Sequence, residues 1–188
     1  MTGLRQRGFS LLELLVTLLV IVLATSLVTL NIGGGDRDVR LQSTLQQLAD
    51  AATFALDEAQ FSGTDYGLLL VLDLDRGKER YTWQWRQRDP QGWRETTGER
   101  EVFAAGALPE GLELQLEIDE VIQSRDTLLL SSANPEPQLI FYASGETQPG
   151  AIDIRAKQGG ELLWRIEWDL LGNFRLLERG LPPVEDNP

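Results

Sequence analysis

Residues Phe9 to Leu30 form an apolar run of 22 residues in which Glu13 is the only formal charge. Its other polar members, Ser10, Thr17, Thr25, Ser26 and Thr29, are hydroxyl residues that can bond back to their own helix carbonyls. A helix of this length is about 33 Å long at a rise of ~1.5 Å per residue. That is enough to span a hydrocarbon core of roughly 30 Å, and in lipid a helix is the one single-segment structure that satisfies its own backbone. The sequence therefore predicts a transmembrane helix over residues 9–32. Glu13 is the oddity, because a carboxylate inside a membrane helix costs on the order of 2.5–3.5 kcal/mol on insertion scales, and ionisable residues in such places have a partner and a role.

The leader before the run carries Arg5 and Arg7 and no acidic residue, so the positive-inside rule places the N-terminus in the cytoplasm and everything after Leu30 outside it. An ordinary signal anchor explains the basic leader and the apolar run, but neither Glu13 nor the Gly8-Phe9 junction. A cleaved secretory signal has an apolar core of about 7–15 residues followed by small residues. This run is too long for that, and Leu23-Ala24-Thr25-Ser26 offers only a poor site inside it.

Gly8-Phe9-Ser10-Leu11-Leu12-Glu13 after a short basic leader resembles the class III signal sequence of type IV pilins and type II secretion pseudopilins. The resemblance implies a leader, residues 1–8, cut between Gly8 and Phe9 by a prepilin peptidase that then methylates the new amine of Phe9. It also implies that Glu13 pairs with the N-terminal amine of a neighbouring subunit during assembly. The physics agrees: opposite charges attract strongly at low dielectric, and either alone would carry the desolvation cost.

Beyond the run the chain has the length of one modest domain. It contains no cysteine, which removes disulfides and thiolate chemistry, and no histidine, which removes the commonest general base and metal ligand. The formal charge is −12. Without the leader's two arginines it becomes −14, 15 basic against 29 acidic residues, a balance that repels nucleic acid and anionic head groups.

Gly33-Gly34-Gly35 reads as a break near the membrane surface, since glycine costs about 1 kcal/mol per residue in a helix interior. Asp36 is the candidate N-cap of the next helix, with Asp38 in its first turn. Leu41, Leu45, Leu48, Ala52, Ala55, Leu56 and Ala59 recur at helical spacing and predict an amphipathic helix ending near Gly63, its stripe packed on a sheet. From Tyr66 the period changes to two. Strands are predicted at 68–75, 81–86, 112–118, 128–130, 138–142, 152–155, 163–168 and 174–177, mostly in hairpin order, with Leu171-Gly172-Asn173 as a tight turn. Residues 87–100, with a turn signal at Asp89-Pro90-Gln91-Gly92, read as a protruding loop or hairpin tip, and residues 131–137 as a second loop. Trp93 in the first is either a partner contact or an edge tryptophan folded back on the sheet. Residues 180–188, with Pro182, Pro183 and Pro188, read as a disordered tail. The expected fold is α+β: a long N-terminal helix, transmembrane then amphipathic, packed on antiparallel sheets in a pilin-like domain over residues 63–179.

The segment from Leu48 to Leu70, with Asp-Glu-Ala-Gln-Phe-Ser-Gly-Thr-Asp-Tyr-Gly at its centre, resembles the helix-to-strand junction of the GspH/FimT pseudopilin family. Gln138 to Thr147 is similar to that family's Phe-x-x-Ser-Gly-Glu segment. This narrower resemblance implies two sheets on the helix. It implies a minor pseudopilin of type II secretion, acting with the minor pseudopilins I, J and K in a tip complex above major pseudopilin G. Such a tip starts a periplasmic pseudopilus that drives folded proteins through the outer membrane. The alternative within the family is a minor type IV pilin of the FimT kind, active in pilus assembly or DNA uptake. DNA binding needs a basic surface, whereas here Arg37, Arg40, Arg76, Lys78, Arg80, Arg86, Arg88 and Arg94 are interleaved with acids.

No catalytic constellation is visible, and no cofactor or metal is expected. Asp73 and Asp75 share one face of a strand; a carboxylate pair or a calcium ligand set is weighed against a solvated strand end, and the solvated end is the reading taken. Ser144-Gly145-Glu146 has no histidine to activate its serine. The glycine triplet lacks the lysine and spacing of a phosphate loop.

Overall fold

The structure, a computed structural model, describes residues 11–75, 77–96, 101–129 and 135–182, and the side chains of all of these except residues 23–34, 36 and 75. Two compact units meet at Arg40 and Leu41.

The helix α1 runs Leu11–Ser62. It continues through Gly33-Gly34-Gly35 and past Asp36, so the expected break and the N-cap at Asp36 are corrected. Glycine weakens a helix but keeps its N–H and C=O, so no hydrogen bond of the ladder is lost there. The end of α1 is as expected. Gly63 adopts φ +67° and Thr64 N–H reaches back to Ala59 O, the glycine-terminated closure that satisfies the last carbonyls of a helix.

In the second unit all seven residues of the predicted stripe are buried, and Ala49 and Ala51 join them. The alanines bring the helix backbone close to the sheets. Among the described residues ten strands follow: β1 Tyr66–Asp75, β2 Lys78–Asp89, β3 Gly92–Glu95, β4 Gly106–Ala107, β5 Leu112–Ile118, β6 Val121–Ile122, β7 Leu139–Phe141, β8 Gly150–Ala156, β9 Leu162–Trp168 and β10 Arg175–Glu178. One sheet has the order β3-β2-β1-β7, with β4 also on β2; the other runs β10-β9-β8-β5-β6. All pairings are antiparallel. Alternation decides which side chains face inward. In the first sheet Leu68, Leu70 and Leu72 lie opposite Trp85, Trp83 and Tyr81. In the second, Leu114 and Leu116 lie opposite Ile154 and Ile152. Both sets join the helix stripe in one core.

Aromatic rings tie the two sheets together. Phe103 packs between Phe54 of α1 and Tyr66 and Trp85 of the first sheet. Trp85 continues to Phe141 at 5.9 Å, Phe141 to Phe174 at 6.1 Å, and Phe174 to Trp168 of the second sheet at 5.3 Å. The Trp168 indole N–H is satisfied by Gln148 O, as a buried indole requires.

One expectation fails locally. Residues Arg125–Leu128 form a 3-10 turn capped by Ser124 rather than entering a strand; Leu128 is a buried plug into the core. Residues 87–95 take the hairpin-tip alternative: β2 turns into β3 between Asp89 and Gly92, where the turn signal lies. Trp93 is folded back on the sheet: it is buried, packs over Gly67 beside Pro137, and carries Arg88 above its ring at 5.6 Å. Most of the second expected loop, and residues 183–188 of the expected tail, lie outside the described residues.

The predicted turn at Leu171-Gly172-Asn173 is built around Asp169, whose carboxylate accepts from the N–H groups of Leu171 and Asn173. Gly172 sits at φ +71°, where a Cβ would overlap the tip of Leu56 on α1. Gly172→Ala is therefore expected to lower stability by about 1–2 kcal/mol, the left-handed penalty for a residue with a Cβ, which thermal unfolding of the two proteins side by side measures as a drop of a few degrees in Tm.

Candidate functional site

Gly8 and Phe9 lie outside the described residues. Glu13 lies in the first turn of α1 and is exposed, as are Leu11, Leu12, Leu14, Leu15, Val16 and every residue from Leu18 to Val22. Thr17 turns its hydroxyl inward to the carbonyls of Glu13 and Leu14 at 2.8 and 2.9 Å, which hides its polarity. The result is a helix end that is apolar on every side with one carboxylate in it. A helix hydrophobic all round belongs inside lipid or among other helices. Among the described residues no helix is long and apolar enough to cross a membrane; side chains 23–34, and Phe9 with Ser10, lie outside that description.

The two downstream segments that carry the narrower resemblance meet in space. Tyr66 pairs with Phe141 across β1 and β7. Asp65, between helix and β1, accepts from Ala143 N–H at 3.0 Å, and its own carbonyl accepts from Arg88 N–H. Ser144-Gly145-Glu146 is a turn closed by Gly145 N–H to Tyr142 O, and Gly145, at φ +90°, lies against Gln60 near the end of α1. Thr147 is buried and donates to Ile140 O. These residues are structural: they lock the start of the first sheet to the end of the helix. Asp73 faces Arg80 across β1 and β2 at an exposed strand end, and the side chain of Asp75 lies outside the described residues. Among the described residues no group of three metal-capable side chains converges.

Sequence reasoning missed how the sheets are stapled by polar groups. Glu79 of β2 accepts from Lys157, in the turn after β8, at 2.8 Å, and pairs with Arg125. The hydrogen bond from Lys157, then that from Arg125, hold the Glu79 carboxyl below the usual glutamate range. Tyr81 of β2 hydrogen-bonds the backbone of Leu114 in β5, and burial pushes its phenol up. A carboxylate lowered in the folded state adds stability that is complete above its unfolded pKa, about 4.3, and is lost as pH falls through the folded value. Glu79→Gln is expected to flatten the loss of Tm between about pH 5 and pH 3; an unchanged acid limb would show that the staple has no energetic weight. No spacing signal marks these partners, which lie 46 and 78 positions from Glu79.

A groove of about 550 Å³ lies between α1 and the segment 101–107 that passes over β2. Its walls are Ala51 and Phe54 of the helix, Trp83 and Trp85 of β2, and Ala104 to Ala107; Asp50 and Glu101 stand on it as well. Nothing in the sequence pattern pointed to it, because its lining is drawn from three separate elements.

Comparison with known proteins agrees with this architecture. The family described as Type II transport protein GspH matches residues 44–172, and the Prokaryotic N-terminal methylation motif matches residues 3–29. Type II secretion system protein H of Pseudomonas aeruginosa is 29% identical over 166 residues, covering 83% of this chain and 86% of that protein. Type II secretion system protein H of Aeromonas hydrophila is 27% identical and covers 93% and 94%. The solved minor pseudopilin EpsH from the type 2 secretion system of Vibrio cholerae superposes with a TM-score of 0.58 at 26% identity, over 76% of this chain and 98% of that one. The solution structure of E. coli GspH, at 15% identity and a TM-score of 0.52, shares the fold. Family and motif together imply a membrane-anchored protein that faces the periplasm. With an α+β fold of one long helix under two antiparallel sheets and a methylation motif at its head, the chain belongs to the GspH family of type II transport proteins.

Proposed function

We propose that this chain is a minor pseudopilin that works by assembly: it joins minor pseudopilins I, J and K in the tip complex that starts a pseudopilus of major pseudopilin G, and so helps drive folded proteins across the outer membrane. The observation that carries the reading is the head of α1, an all-round apolar helical surface in which Glu13 is the one charge among the described residues 11–22. Such a surface needs cover, and a single carboxylate within it needs a cation. The amine exposed at Phe9 when the leader is cut after Gly8 is that cation, supplied by a neighbouring subunit. Residues 9–32 then cross the inner membrane once, with the leader in the cytoplasm and the β-rich domain in the periplasm. The chemistry is done to this protein, by the prepilin peptidase at Gly8–Phe9, and not by it. The alternative of DNA uptake finds no support in a chain of net charge −12.

Co-expression with a prepilin peptidase tests the first step. Mass spectrometry should find the chain beginning at a methylated Phe9, and Gly8→Ala should leave it uncut. A wild-type chain that stays whole beside an active peptidase would overturn the assignment of Gly8, Phe9 and Glu13.

A further inference from the structure

The groove between α1 and segment 101–107 has two properties that together define a guest. Its walls are largely apolar: Ala51, Phe54, Trp83, and the small residues Ala104 to Ala107. Its two charged lining residues among the described residues are both carboxylates, Asp50 and Glu101. Both are exposed, and Asp50 accepts a hydrogen bond from the Gln46 side chain at 2.9 Å.

We propose that this groove docks a polypeptide segment of another pseudopilin: a bulky apolar side chain enters between Phe54 and Ala105, and a lysine or arginine beside it meets Asp50 and Glu101. Charge selects the partner. A rim whose described charges are all carboxylates rejects an acidic segment and attracts a basic one, which sets both encounter rate and specificity. The apolar floor supplies the contact area that a rim-exposed ion pair cannot. The proposal rests on the assembly reading for the source of the segment, and deepens it by naming the surface.

The test uses the processed full-length chain in detergent with the co-expressed minor pseudopilins of its own secretion system. The rim variant Asp50→Lys/Glu101→Lys and the filled variant Ala105→Trp both change exposed positions, so Tm should stay within about a degree of wild type. Each is expected to weaken capture of one partner by about tenfold or more, whereas the control Glu161→Lys/Glu178→Lys, with the same change of charge on a distant surface, binds as wild type. Capture by the rim and filled variants equal to wild type overturns the groove while leaving the assembly reading intact. Wild-type protein that captures no minor pseudopilin overturns the assembly reading itself, and the two failures are thereby told apart.

Discussion

Glu13→Ala should be processed at Gly8 as wild type is and then fail to join the fibre, reducing secretion by two to three orders of magnitude. The reasoning runs through desolvation. Among the described residues at the head of α1, Glu13 is the lone carboxylate in an apolar surface. Membrane burial of an unpaired charge is unfavourable for the carboxylate and, on the proposed assembly, for the incoming amine, and pairing them offsets much of both penalties. Deleting one partner of such a pair costs about 3–5 kcal/mol because the other charge is left uncompensated, and each 1.4 kcal/mol is about a factor of ten. Glu13→Gln, which keeps the shape and a hydrogen-bond acceptor, should fall between the two. Processing should be unaffected because the proposed scissile bond, Gly8–Phe9, lies four positions before Glu13 in the sequence. The measurement is quantitative blotting of sheared pseudopili and of a secreted enzyme. Full secretion by Glu13→Ala would leave the carboxylate without a role.

Phe141→Ala should be the most damaging single truncation in the periplasmic domain. Phe141 has no exposed surface and stands between Trp85 of one sheet and Phe174 on the way to Trp168 of the other. Truncating a buried phenylalanine costs about 3–5 kcal/mol, the transfer of the ring plus the cavity left behind, out of a total stability of about 5–15 kcal/mol. Here the cavity opens between two sheets that no disulfide can hold, since the chain has no cysteine. Thermal unfolding followed by tryptophan fluorescence should show Tm lower by on the order of 10 °C. A loss of only a degree or two would mean that the aromatic chain does not bind the sheets together.

Periodicity explains which parts of this fold can be read from the residues. Leu41 to Ala59 has a stripe wide enough that every member lies in the core, and Leu112–Ile118 alternates so regularly that its predicted bounds match β5. Local signals also suffice where a turn is self-contained, as at Asp169 to Asn173. What periodicity does not carry is partnership. The chain leaves the second sheet after β6, returns to the first for β7, then goes back for β8, and no residue pattern announces that β7 pairs with β1 some 70 positions earlier. One-sided cues mislead: three glycines weaken a helix without ending it, and Leu128 is apolar because it plugs the core from a 3-10 turn. The N-terminal motif, matched over residues 3–29 and holding Gly8, Phe9 and Glu13, is legible because it is a contiguous string. The groove beneath segment 101–107 is not, because it exists only when three elements meet.

The most direct test of the central claim is capture of the soluble domain, residues 37–188, against the soluble domains of minor pseudopilins I, J and K, with a DNA gel shift beside it. A stoichiometric complex with I, J and K and no movement of DNA is the result expected of a tip-complex pseudopilin. DNA binding without that complex would contradict it, and would place this acidic chain among the uptake pilins instead.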